Sequence, residues 1–307
     1  MRAQVNHLVN LRDTAGVSLT AGRAILAAGT FITLLTNNAS TLFHDPSVTA
    51  LQPKCGSVTS FGLFCVTADA PDVGRFIGIA ICMVVMAGLS PAITTPLYWY
   101  VAASVFFNVR PIDGGDQLTA ALAFYLSIIC ITDRRVWGWR LRCDIPRRSV
   151  YFPFANIIWW LIPLQVSFAY LNSAIAKFSA PIWVEGTALW YWIQHPGFNA
   201  RPGELRIGLD LLANPFFAAA TAWGTIALEI FLAVVILLGG RHRNVRLAAI
   251  IVGALFHLAI AVAIGLVSFF FAMLGGLTLA LWRPRDAVPW SCVSRRSTIR
   301  RKVLNAE

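Results

Sequence analysis

Apolar residues run through this chain in blocks of about 15 to 25, and polar residues collect in the gaps between them. A helix needs ~20 mainly apolar residues to cross roughly 30 Å of hydrocarbon. On that rule, spans are expected at about 17–37, 74–93, 95–109, 117–132, 152–178, 215–239, 246–264 and 266–282. The third and fourth are short and punctuated by Pro91, Pro96 and Pro111, which implies tilt or a locally thinned bilayer. A count of seven, with one of these lying flat, is the alternative. The pattern predicts an all-α, polytopic transmembrane helix bundle of about eight spans plus a short interfacial helix. The blocks are too close together for separate soluble domains, so residues 1–285 read as one integral membrane domain followed by a basic cytoplasmic tail, 286–307.

Composition supports the same class. Of the 307 residues, 57% are hydrophobic and only 13% charged, against roughly 25% charged in an ordinary soluble domain. Eight spans place 18 of the 25 basic residues on one side. These are Arg2 and Arg12, the group from Arg134 to Arg148, then Arg241, Arg243 and Arg246, and the tail from Arg283 to Lys302. The opposite side keeps Lys54, Arg75, Arg110, Lys177, Arg201 and Arg206, and Arg23 lies close enough to the inner end of the first span to snorkel. The positive-inside rule then puts both termini in the cytoplasm. It also assigns the net charge of +11 to anionic lipid headgroups and not to nucleic acid. The first span has a long preceding segment and no clear small-x-small cleavage site, so it is expected to stay in place.

Of six cysteines, Cys55 and Cys65 share the first outer loop, "KCGSVTSFGLFC". An oxidising compartment would permit a disulfide there, either as a structural staple or as a redox pair exchanging with a substrate thiol. Cys82 and Cys130 fall in spans and Cys143 and Cys292 on the cytoplasmic side, as inert thiols. No Cys or His spacing suits a zinc or iron–sulfur site.

Ionisable residues inside spans are costly and mark candidate sites. Glu229 in "TIALEIFLAVV" and His257 in "GALFHLAIA" stand ten and eleven residues above the same cytoplasmic turn, so both sit about 15 Å deep at 1.5 Å per residue. They are expected to meet, either as a coupled proton-passing pair or as a hydrogen-bonded staple between two helices. In "RPIDGGDQL", Asp116 is placed to cap the fourth span, and Asp113 is left to offer a carboxylate to a cation or a lysine.

The segment "QVSFAYLNSAIAKFSAPIWVEGTALWYWIQHP" leaves the fifth span on the outer face. Tyr170, Ser173 and Lys177 recur at i, i+3 and i+7 and so share one helix face, with Gln165 and Asn172 on another. Pro181 ends the span, and Trp183, Trp190, Tyr191 and Trp192 form an interfacial aromatic belt. Lys177 at the outer mouth has two readings, a snorkelling amine or, with partial desolvation, a general base.

The run Gln165, Tyr170, Lys177, Trp183, Glu185, Gly186, with "AKFSAPIWVEG" at its centre, resembles the horizontally transferred transmembrane (HTTM) domain. Vitamin K-dependent gamma-carboxylases and the sporulation-delaying protein B (SdpB) family share that domain. The lysine and the Trp-Val-Glu-Gly are kept, with a spacer one residue longer than in the carboxylase pattern. The resemblance implies that Lys177 deprotonates a reduced quinone, with Tyr170 and Asp113 orienting it and Glu229 and His257 as a proton path. Trp183, Glu185, Trp190 and Trp192 would dock substrate. The length, the outer cysteine pair and the eight-span plan are similar to the SdpB side of the group. That implies a bacterial cytoplasmic membrane protein acting with a partner maturation protein on an exported antimicrobial peptide toxin precursor. A non-enzymatic escort, an immunity protein and a quinone-linked carboxylase or epoxidase are the alternatives, and a transporter has less support because no repeat is visible.

Overall fold

The computed structural model describes residues 16–44, 52–110, 113–140, 151–195, 206–238 and 242–282. Cys143, Cys292, the tail 286–307, Arg201, Arg241 and the arginines expected in 1–15, in 141–150 and from 283 onward lie outside the described residues. The described chain is helical, with one isolated bridge between Leu89 and Trp137. In order the helices are α1 (Val17–Thr36), α2 (Ala39–Leu42), α3 (Leu63–Val66), α4 (Pro71–Met86), α5 (Pro91–Asn108), α6 (Gly114–Cys130) and α7 (Tyr151–Phe178). They continue as α8 (Pro181–Val184), α9 (Ala188–Gln194), α10 (Arg206–Leu212), α11 (Pro215–Leu237), α12 (Arg243–Ile264) and α13 (Val267–Leu281).

Local sequence explains where several of them begin. α4, α5, α8 and α11 open on proline, whose missing N–H would be unpaired in the first turn anyway. Asn214 caps α11 by accepting from the Phe216 N–H at 2.9 Å. α6 has a reciprocal capping box: Asp113 accepts from the Asp116 N–H at 2.9 Å, and the Asp116 carboxylate accepts from the Asp113 N–H at 3.2 Å. The N-cap is therefore Asp113, and the expectation that Asp116 is the cap is corrected by three residues. The second and third expected spans also divide earlier than the apolar pattern suggested, at 87–90, where Ser90 takes a left-handed φ of 35°.

Among the described residues, four helices are long and apolar enough to cross a membrane: α1, α7 over Phe154–Phe178, α11 and α12. α6 and α13 are shorter apolar helices. The eight long helices form two rows of four. α4, α1, α13 and α12 pack side by side in one row, and α5, α6, α7 and α11 in the other. Small residues let the first row close: a Cβ on Gly275 of α13 would lie 2.7 Å from Leu26 of α1. The core between the rows holds Leu26, Tyr98, Leu122, Leu126, Ile162, Val166 and Leu277, all buried.

The two ends of the bundle differ. At one end Cys55 and Cys65 are joined, with a Cα–Cα separation of 5.9 Å. Asn108, at the last turn of α5, is fully buried beneath that loop and donates through Nδ2 to the Lys54 and Thr59 carbonyls at 2.9 and 3.2 Å. At the other end Asp133 pairs with Arg135, and Gly138 is held by the Thr20 hydroxyl and the Gly88 carbonyl. Arg23 lies inside the bundle near that end and does not snorkel: it is 1% exposed and donates through Nη1 to the Thr95 hydroxyl at 2.6 Å. One guanidinium nitrogen is thus taken up by a hydroxyl of α5, while Nε and Nη2 are buried with no partner among the described residues.

Candidate functional site

Five of the polar side chains flagged by sequence converge where α7, α11 and α12 meet. Tyr170, Ser173 and Lys177 line one face of α7, as their spacing requires. Glu229 projects from α11 and His257 from α12, and the two are 5% and 2% exposed.

Two separate pairs form. Lys177 Nζ donates to both carboxylate oxygens of Glu229, at 2.8 and 2.9 Å, and to the Ser173 hydroxyl at 2.6 Å. Ser173 in turn donates to Glu229 Oε1 at 3.0 Å, so carboxylate, amine and hydroxyl close a three-membered ring. One to two turns deeper, the Tyr170 hydroxyl meets His257 Nε2 at 2.9 Å. The expected Glu229–His257 contact is thus replaced: the carboxylate takes the lysine and the imidazole takes the tyrosine. Counting turns did not fix the partners, because α11 packs chiefly on α7 and only lightly on α12, and α7 presents a cation to Glu229 and a phenol to His257.

The neighbouring aromatic elbow seats the lysine. α8 turns the chain so that the Trp183 ring lies 5.0 Å from Lys177 Nζ, a cation–π contact. Trp192 of α9 packs edge-on against Trp183, with ring centroids 6.2 Å apart. Gly186 makes the turn: its φ is +80°, and a Cβ there would lie 2.7 Å from the Ala219 Cα of α11. Trp-Val-Glu-Gly is thereby accounted for at two of its positions, the tryptophan over the lysine and the glycine against α11. Glu185 is exposed, and Trp190 is half-buried on α9.

Asp113 does not reach Lys177. Its Oδ1 caps α6, and its Oδ2 accepts from the Ser268 hydroxyl of α13 at 3.0 Å, which ties two helix starts together. Ser173 shares the flagged helix face but was not expected to bridge the ion pair. Phe256 and Phe269, whose rings stand edge-on to His257 with centroids 4.9 and 5.2 Å away, carried no sequence signal as isolated apolar residues. The arrangement is a buried, charge-compensated pair with a hydroxyl bridge, set above a phenol–imidazole hydrogen bond.

No known family model and no solved structure matches the chain, so the HTTM resemblance rests on the run from Lys177 to Gly186. Curated relatives do match. The uncharacterized protein YitO of Bacillus subtilis (strain 168) is 33% identical over 278 residues, which cover 89% of this chain and 87% of that protein. The sporulation-delaying protein SdpB of the same organism is 29% identical over 266 residues, 84% of this chain and 79% of SdpB. With likeness that runs through nearly the whole length of both relatives, the chain belongs to the SdpB-like family of membrane proteins.

Proposed function

We propose that this SdpB-like protein works in the production of an exported peptide toxin, with the Lys177–Glu229–Ser173 ring as its reactive centre. The observation that carries the reading is a lysine and a glutamate paired inside a largely apolar bundle. Such a pair is costly to bury, and buried ionisable groups in membrane helices concentrate at sites of proton or substrate handling. Moving one proton from Lys177 Nζ to Glu229 neutralises both groups at once and leaves a free amine able to act as a base. Ser173 holds both partners through that exchange. Trp183 covers the amine, and Tyr170 and His257 form the floor of the site. A reduced quinone as the proton donor, and a partner maturation protein for the peptide, belong to the same proposal.

The eight long helices read as eight spans, with the disulfide end outside and the Arg135 end in the cytoplasm. Lys177 then stands near the outer face, where an exported precursor arrives. Mass spectra of the peptides secreted by producer cells test the reading. Wild type, a deletion strain and Lys177→Ala are compared. A defined mass change lost in both altered strains is the expected result and names the reaction. If deletion abolishes the mature peptide while Lys177→Ala leaves it intact, the protein is an escort and the ion pair a structural tie. Death of the producer on deletion identifies an immunity protein instead.

A further inference from the structure

His257 has a nitrogen that no described residue satisfies. Its Nδ1 is buried without a hydrogen-bond partner, although the ring as a whole is only 2% exposed. The hydrogen bond on the other nitrogen fixes what Nδ1 is. The Tyr170 hydroxyl has His257 Nε2 as its one described polar partner, and a phenol is the stronger acid while a neutral imidazole nitrogen is the stronger base. On these acidities Tyr170 is assigned as the donor to Nε2, which puts the imidazole proton on Nδ1. The result is a buried N–H donor without an acceptor, which is expensive to leave unpaired.

A trapped water is a poor answer. A buried water is held by two to four polar partners, and Nδ1 is the only unpaired polar side-chain atom described beside the Phe256 and Phe269 rings. A charged acceptor is also disfavoured, because Lys177 and Glu229 already cancel and the flanking rings offer no counterion. What fits is an uncharged oxygen carried on an apolar molecule. α11 rests mainly on α7 and α12 mainly on α13, and α11 and α12 touch each other little although they follow one another in the chain.

We infer that His257 is a ligand-binding residue, its Nδ1–H donating to the carbonyl oxygen of an apolar ligand that enters between α11 and α12. The inference rests on the proposal that this polar cluster is a working site and adds the chemistry of what it holds. A main-chain carbonyl of an apolar peptide and the carbonyl of a small lipid-soluble compound supply the same acceptor, and the experiment separates them.

The full chain, labelled with ¹⁵N at its five histidines and reconstituted in lipid nanodiscs, is read by solid-state NMR. The His257 signal is assigned by its loss in His257→Gln. If that variant does not fold, the selective change of one imidazole signal in Tyr170→Phe supplies the assignment. Three probes are added in turn: a capped leucine–alanine peptide, a long-chain benzoquinone and a hydrocarbon of the same length without a carbonyl. A protonated Nδ1 in lipid alone is expected, with a saturable downfield shift of its proton on adding one carbonyl probe and none with the hydrocarbon. The carbonyl probe that acts names the source. A proton found on Nε2, no response to either carbonyl probe, or an equal response to the hydrocarbon overturns the inference. Unchanged spectra together with intact peptide maturation remove this inference and leave the proposed function standing. A carbonyl response in a protein shown to have no part in maturation supports the site and removes only the pathway.

Discussion

At the scale of single residues, the ion pair separates a working site from a decorative one most sharply. The side chains of Lys177 and Glu229 are 15% and 7% exposed, so each depends on the other for compensation. Glu229→Gln strands an ammonium among apolar groups, and breaking one half of a buried pair costs about 3–5 kcal/mol. Replacing both partners together, as Lys177→Met with Glu229→Leu, leaves no orphan charge and is expected to restore most of that loss. Thermal unfolding in detergent checks the ordering. A double variant as unstable as the single one would mean that packing, and not charge compensation, holds α7 to α11. The double variant also divides function from stability, since a folded protein without the pair is expected to lose peptide maturation. Ser173→Ala is milder, because the two Lys177–Glu229 hydrogen bonds remain; the loss expected is about 1 kcal/mol, read in the same melts.

At the scale of elements, two short irregular pieces carry more than their length suggests. Gly186 holds the elbow between α8 and α9 in a left-handed turn against α11, so Gly186→Ala adds both backbone strain and overlap with Ala219. The strain alone costs roughly 1–2 kcal/mol. Loss of maturation comparable to Lys177→Ala is expected, because the turn seats Trp183 over the amine. A variant with normal maturation would show that the elbow is only a connector. The disulfide loop is the second piece. Its closure spans ten residues, which in the chain-entropy model contributes about 2–3 kcal/mol, and Cys55→Ser with Cys65→Ser is expected to lower the melting temperature accordingly. Much of this level was legible in the sequence: the shared face of Tyr170, Ser173 and Lys177 followed from helical period, and the burial of Glu229 and His257 from their place inside apolar blocks. Partner choice was not, because period and burial say nothing about which helix lies beside which. The Asp113 cap was missed for a related reason: two carboxylates flanking Gly114 and Gly115 satisfy the same local rule, and only the reciprocal hydrogen bonds decide between them.

At the scale of the whole molecule, the two-row bundle and the arginine pattern of the sequence bear on the proposed orientation. Successive long helices run in opposite directions, so the disulfide loop, the Asp113 cap and Lys177 gather at one end and Asp133, Arg135 and Gly138 at the other. The apolar blocks made the helical class and the long helices readable, since in hydrocarbon a single segment satisfies its own backbone polar groups only as a helix. The irregular Leu89–Trp137 bridge that closes the Arg135 end was hidden, because its pairing is made by backbone groups that leave no side-chain signature. Orientation is testable by labelling. Ala68 and Arg134 are exposed at opposite ends, and the native free thiols described, Cys82 and Cys130, are buried. With Cys143 and Cys292 changed to serine, Ala68→Cys is expected to react with a membrane-impermeant maleimide in intact cells. Arg134→Cys is expected to react only after permeabilisation. The reverse pattern would put Lys177 in the cytoplasm, out of reach of an exported precursor, and would remove the proposed function while leaving the fold untouched. Equal labelling of both sites in intact cells would instead break the alternation itself, and with it the reading of all eight long helices as spans.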